Sequence, residues 1–156
     1  FLYLLSINRL PMNRSILTID YTETTKDLLD PLDAELLDKA ARAADGAYAP
    51  YSRFLVGAAL RLENGQVICG NNQENASFPA GICAERTAVF YAHANFPETQ
   101  IRAIAITASP CGICRQVLLE SEKRAGVPIR VLLAAGDKVR IFQSVKDLLP
   151  FGFDSF

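Results

Sequence analysis

IRAIAITASPCGICRQVLLESEKRAGVPIRVLLA, residues 101–134, is the stretch whose reading decides the fold. IRAIAIT (101–107) is dense in apolar and β-branched residues and reads as a buried strand, which Pro110 brings to a stop. Cys111 to about Ala125 reads as a helix. VPIRVLLA (127–134) then reads as a second buried strand. Strands separated by a helix imply parallel neighbours in a sheet whose faces are covered.

Reading outward from there, Gly136-Asp137 turns the chain into a further strand, KVRIFQ (138–143), and Ser144 caps a short helix ending near Leu149 before the tail PFGFDSF. Upstream, Asp30-Pro31 reads as an N-cap followed by proline at the first helical position. Leu32, Leu36, Leu37, Ala40 and Ala44 recur at helical spacing, and Gly46 and Pro50 end that helix. FLVGAALRL (54–62) and QVIC (66–69) flank Asn64-Gly65, the strongest short signal for an antiparallel hairpin. GNNQENASFPAG (70–81) has loop composition, and Cys83 to about Ala94 reads as a helix.

The order is therefore α-β-β-α-β-α-β-β-α. The expected class is α/β: three α/β/α layers around a mixed sheet of about five strands with one antiparallel hairpin. Residues 1–29 read as an N-terminal arm, in which SILTIDYTETT has strand-like alternation, and residues 30–156 as a single catalytic domain. FLYLLSINRLP (1–11) precedes the only methionine, Met12, which is the expected native start. That run falls short of the roughly 20 apolar residues a membrane span needs, so no membrane partner is expected.

A chain of 156 residues is long enough for one domain with a full core. Lys and Arg number 16 against 17 Asp and Glu, so the basic surplus of a phosphate-backbone binder is missing and no nucleic-acid partner is expected. Of the four cysteines, Cys111 and Cys114 form a Cys-x-x-Cys pair. In a domain with a good core that favours metal or redox chemistry in a reducing compartment, and so a cytoplasmic protein, over a disulfide scaffold.

Cys83, Cys111 and Cys114 fall at the starts of two predicted helices. Residues at i and i+3 share a helix face, so the second pair can reach one metal. The partial positive charge of a helix N-terminus favours thiolate, and thiolates suit zinc, iron–sulfur clusters or copper(I). Three side-chain ligands, where a closed structural zinc site has four, leave a position for water. Glu85, two residues past the first ligand, can stand beside the metal without binding it and relay protons from water to a leaving amine. Arg86 and Arg115 are placed to donate hydrogen bonds to cysteine sulfur and offset the charge of three thiolates.

These residues carry a resemblance. Cys83-Ala84-Glu85-Arg86 followed by Pro110-Cys111-Gly112-Ile113-Cys114-Arg115-Gln116 resembles the zinc cytidine deaminase signature, for which the Cys-x-Glu…Pro-Cys-x-x-Cys pattern is already a general rule. AYAPYSRFLVGAAL (47–60), NNQENASFPAGICAERTA (71–88), SPCGICRQVL (109–118) and SVKDLLPFGF (144–153) are similar to the free-nucleoside, three-cysteine, homotetrameric branch of that family. The resemblance implies one zinc ion per chain on Cys83, Cys111 and Cys114, with Glu85 as the catalytic acid and base. It implies that Phe54 lines the base pocket, that Asn72 and Glu74 hold the ribose hydroxyls, and that the Ala84 backbone contacts the pyrimidine. It also implies that Phe153 stacks on the base in a neighbouring subunit, within a homotetramer that shares its active sites. The implied reaction is hydrolytic release of ammonia from free cytidine and deoxycytidine in pyrimidine salvage. Three features depart from the family's pattern: Phe78 stands where tyrosine is usual, few residues separate strand 101–107 from Pro110, and the arm is long.

Other readings of the same residues are a deaminase of another cytosine-containing small molecule, such as a nucleoside antibiotic, a non-catalytic zinc-binding protein, and a closed structural zinc site with Cys69 as fourth ligand. Cys69 itself is expected to be a small buried strand residue. His93 lies ten residues beyond Cys83 along the helix, too far to be a ligand, and is expected to have a surface or packing role.

Overall fold

The computed structural model describes residues 12–154, so the expectation of a start at Met12 rests partly on residues 1–11, which lie outside the described ones. The helices and strands of the described residues follow in the order β1 (Thr22–Thr25), α1 (Pro31–Ala43), β2 (Gly57–Leu62), β3 (Val67–Asn71), α2 (Ala84–Asn95), β4 (Ile101–Ile106), α3 (Gly112–Ala125), β5 (Arg130–Ala135) and β6 (Lys138–Phe142). They form one six-stranded mixed sheet in the order β1-β6-β5-β4-β2-β3, with α1 on one face and α2 and α3 on the other.

The two faces follow from the period of two in the strands. Ala59, Ala103, Ala105 and Leu132 face Leu36, Leu37 and Ala40 of α1. The alternate positions, among them Ala58, Leu60, Ile104, Ile106, Val131 and Leu133, pack with Ala88, Val89 and Leu118 of α2 and α3. Helix α1 starts as its sequence dictates: the Asp30 carboxylate accepts hydrogen bonds from the Leu32 and Asp33 N–H groups, both at 3.0 Å, and Pro31 takes the first helical position. The stretch after β6 forms a 3₁₀ turn over Val145–Leu148, capped by the Ser144 hydroxyl.

The sheet corrects two expectations. It has six strands because Thr22–Thr25, read as part of the arm, pairs antiparallel with β6. Glu23 bridges Lys138 at 2.7 Å and Arg140 at 3.0 Å on that strand, and the Tyr21 ring stacks on Phe142. Antiparallel pairing is also the rule here: among the described residues, β4–β5 is the one parallel pair in the sheet. The crossover through α2 does join strands of the same direction, β3 and β4, but β2 lies between them and runs against both. Among the described residues no helix is long and apolar enough to cross a membrane.

Candidate metal centre and active site

The N-termini of α2 and α3 meet on one face of the sheet. Cys83 is the N-cap of α2, Cys111 is the N-cap of α3, and Cys114 sits in the first turn of α3. Their three sulfur atoms lie within 4.8 Å of one another, with Cys83 Sγ and Cys111 Sγ 4.0 Å apart. Helix α2 is pressed against β3 at Gly70, and the Thr87 hydroxyl donates to the Asn71 carbonyl at 3.1 Å, which fixes where α2 begins.

The donor set fits a thiophilic cation. Burial pushes the Cys114 thiol well above its usual range, and the nearby Glu85 carboxylate pushes it further. At Cys111 burial acts the same way, but hydrogen bonds from Cys114 and from the Ile113 backbone outweigh it and draw the thiol down. Three sulfurs packed this closely are mutually repulsive once ionised, and a divalent cation among them reverses that balance. The three cysteines are a zinc site, and Cys69 does not close it. Cys69 is exposed on the edge strand β3, contrary to its expected burial, because an edge position leaves its side chain uncovered.

Glu85 lies in the first turn of α2 and is 4% exposed, and the adjacent Ala84 is fully buried. The two arginines part company. Arg86 donates from NH2 to Cys83 Sγ at 3.4 Å, and its contacts with the Cys83 and Cys114 sulfurs hold the guanidinium firmly charged. Arg115 spends its donors elsewhere: on the Pro110 carbonyl at 2.9 Å, the Leu148 carbonyl at 2.9 Å and the Ser109 hydroxyl at 3.2 Å. It braces the loop that delivers Cys111 and ties that loop to the C-terminal segment.

An open cavity of about 540 Å³ lies against Cys83 and Arg86 and is walled by Tyr51, Asn72, Glu74 and Phe78 among others. Of the predicted site residues, Asn72, Glu74, Cys83 and Arg86 line it, whereas Phe54, Ala84, Glu85, Cys111, Cys114, Arg115 and Phe153 do not. Asn72 accepts from the Val56 N–H at 2.8 Å and donates to the Phe54 carbonyl at 2.9 Å, so one amide side chain shapes the stretch that carries Phe54. Glu74 Oε2 accepts from the Tyr51 and Ser52 N–H groups at 2.9 and 3.2 Å. Its pKa is lowered by the hydrogen bond with the Ser52 side chain first, then by these backbone groups. Phe78 meets Tyr51 edge-on, with ring centroids 5.9 Å apart.

Phe153 is 62% exposed, and its backbone is held by Gln116 on α3. Sequence reasoning alone does not single out Gln116 or Thr87. Gln116 had a signal, its place next to Arg115 just after the second ligand pair. Thr87 had none, because a hydroxyl reaching a carbonyl sixteen residues back in the chain leaves no local pattern. His93 joins the two metal-bearing helices: its Nε2 is 2.9 Å from the Ser121 hydroxyl. That hydroxyl donates to the Val117 carbonyl, so the His93 Nε2–H is the donor.

Residues 31–128 match the family described as the cytidine and deoxycytidylate deaminase zinc-binding region. A cytidine deaminase of Halalkalibacterium halodurans is 50% identical over 91 residues, covering 54% of this chain and 68% of that protein. One of Sporosarcina psychrophila is 38% identical over 129 residues, covering 78% and 92%. The crystal structure of cytidine deaminase from Burkholderia pseudomallei superposes with a TM-score of 0.64 at 42% identity, covering 76% of this chain and 97% of that one.

Proposed function

The chain belongs to the cytidine and deoxycytidylate deaminase zinc-binding family, and we propose that it hydrolyses the 4-amino group of free cytidine and deoxycytidine, giving uridine, deoxyuridine and ammonia. The observation that carries this reading is the set of three sulfurs within 4.8 Å of one another at two helix N-termini, with the buried Glu85 in the first turn of one of them.

Bound zinc supplies Lewis acidity that brings the pKa of a water into the neutral range. Glu85 takes a proton from the attacking water and delivers protons to N3 of the cytosine ring and to the nitrogen leaving C4. Its burial keeps bulk water from competing for those protons. Arg86 draws charge from the Cys83 sulfur, so that three thiolates do not quench the electrophile they hold.

Asn72 and Glu74 grip the ribose diol with capacity their loop contacts leave over. A primary amide has two donors and two lone pairs, and Asn72 spends one of each on Phe54 and Val56. Glu74 spends Oε2 on the loop. Phe54 and the Ala84 backbone contact the base, and Phe153 closes the site of a neighbouring subunit in a homotetramer with one zinc per chain. Residues 30–156 act as one catalytic unit, with the strand Thr22–Thr25 of the preceding segment built into its sheet, in cytoplasmic pyrimidine salvage.

The test is ammonia release from cytidine by zinc-quantified protein, with Glu85→Gln alongside. One zinc per chain is expected, with turnover falling roughly 10²–10⁴-fold in the variant while zinc stays bound. Zinc-loaded parent protein that leaves cytidine intact sinks the substrate assignment, and a variant as fast as the parent removes Glu85 from the reaction.

A further inference from the structure

The C-terminal tail is held far more tightly than its exposure calls for. After the 3₁₀ turn Val145–Leu148 the chain reverses over Leu149-Pro150-Phe151-Gly152, closed by a hydrogen bond from the Gly152 N–H to the Leu149 carbonyl at 3.0 Å. Phe151 adopts φ 60°, a left-handed conformation that a residue bearing a Cβ avoids unless its surroundings impose it. Gly152 lies so close to α3 that a Cβ there would come within 2.4 Å of the Leu119 side chain. Arg115 holds the Leu148 carbonyl at 2.9 Å just before this turn.

Just after it, the Gln116 side chain engages both backbone groups of Phe153. Nε2 donates to the Phe153 carbonyl at 2.7 Å, and Oε1 accepts from the Phe153 N–H at 3.0 Å. A primary amide used this way imitates a neighbouring β-strand and fixes one residue in both position and rotation. What is presented is apolar and faces outward: Phe151 is 98% exposed and Phe153 62%. Phe153 also does not line the cavity beside its own metal centre.

We infer that Gln116 is a positioning residue for the reaction: its amide clamps the Phe153 backbone so that the ring is delivered at a set height and angle to the nucleoside site of a second copy of the chain. The inference rests on the reading above that Phe153 closes a neighbour's site. Because Gln116 sits two residues past Cys114, one rigid helix carries two ligands of its own site and the clamp for the ring lent to another. Each ring's placement is thereby referenced to a metal centre.

Steady-state kinetics on cytidine with zinc-quantified protein separate the possibilities. The variants are Gln116→Leu, which keeps bulk but cannot hydrogen-bond, Phe153→Ala, and the two combined. Gln116→Leu is expected to keep full zinc and near-parental kcat while KM rises roughly 5- to 10-fold, in line with partial loss of one base–aromatic stack. Phe153→Ala is expected to raise KM at least as much, and the double variant to be no worse than Phe153→Ala, since the clamp has no purpose without the ring. If Phe153→Ala leaves KM unchanged, the lent-ring reading fails and the clamp fails with it. If Phe153→Ala raises KM but Gln116→Leu does not, the reading survives and the clamp alone is overturned. Additive effects, or zinc loss in Gln116→Leu, mean that Gln116 acts by another route and equally overturn it.

Discussion

Gly70→Ala adds one methyl group at the point where the metal-bearing helix rests on the sheet. Its Cβ would fall 2.5 Å from the Ala84 carbonyl oxygen and 2.7 Å from the Ala88 nitrogen. Both are backbone atoms of α2, so no side chain can swing aside. To reach the 3.4 Å at which ordinary contact begins, the start of α2 must withdraw by most of an ångström. Overpacking of this kind costs about 1–3 kcal/mol, and a chain of this size loses about 2–4 °C of melting temperature per kcal/mol, so a fall of roughly 2–12 °C is expected. The activity effect should be larger. Cys83 and Glu85 flank Ala84, and a displacement near 1 Å can cost about 10²-fold in rate, so kcat is expected to fall roughly 10- to 100-fold. Gly112→Ala is the control: it lies between Cys111 and Cys114, its added Cβ would meet nothing within 4 Å, and it should leave both quantities near parental values. The assay is thermal melting plus ammonia release on zinc-loaded protein. A Gly70→Ala variant that melts within about 1 °C of the parent and retains its kcat would refute the claim that this contact sets the site.

Three further changes probe other parts of the frame. Arg86→Gln removes the donor on Cys83 Sγ and should lower turnover roughly 10- to 100-fold while zinc stays bound; unchanged turnover would leave Arg86 no electronic role. Burial, and after it the charge of Arg124, lowers the His93 pKa below its ordinary 6.5, so the folded state prefers the neutral ring. Its stabilising contribution is complete above pH 6.5 and is lost as pH falls through the lower folded-state value; His93→Gln should flatten urea midpoints over that range, and an unchanged slope would exclude His93 as the source. Glu122→Ala should cost about 2–6 kcal/mol in urea denaturation, because the buried carboxylate satisfies the Ile129 and Val145 N–H groups, and a loss under about 1 kcal/mol would mean that water replaces it.

What the sequence made legible was what local spacing encodes. Asp30-Pro31, Asn64-Gly65 and the two cysteine-bearing helix starts each depend on residues within a few positions of one another, and each lies in the structure where its pattern places it. Sheet membership and order were less legible because their causes are distant. The alternation of SILTIDYTETT hinted at a strand but not at its place in the sheet, which Glu23 settles by meeting two cations more than a hundred residues away. Arg115 beside a ligand suggested a sulfur partner, but the Leu148 carbonyl, supplied by the far end of the chain, competes for it. Cys69 sits in an apolar run that suggested burial, and only the order of strands reveals that it stands on an open edge.

The same distinction explains how a loosely coded frame can hold a tightly coded site. Three sulfurs can share one cation only if two separate helix starts keep their relative position, and no residue near the cysteines can enforce that alone. Helix α2 is fixed near its start by Gly70 and Thr87 against β3, and near its end by His93 against Ser121 of α3. Helix α3 is fixed at its start by Arg115, and near its end by Glu122, which bonds the backbone at the entry to β5 and just after β6. Each helix is thus held at both ends, and the ties at α2's near end and α3's far end reach the strands and their flanks, which do not touch the cation. Rotation of either helix about its ligand end would have to break a bond at the other end, so the geometry of the centre is a property of the α2–α3 layer as a whole.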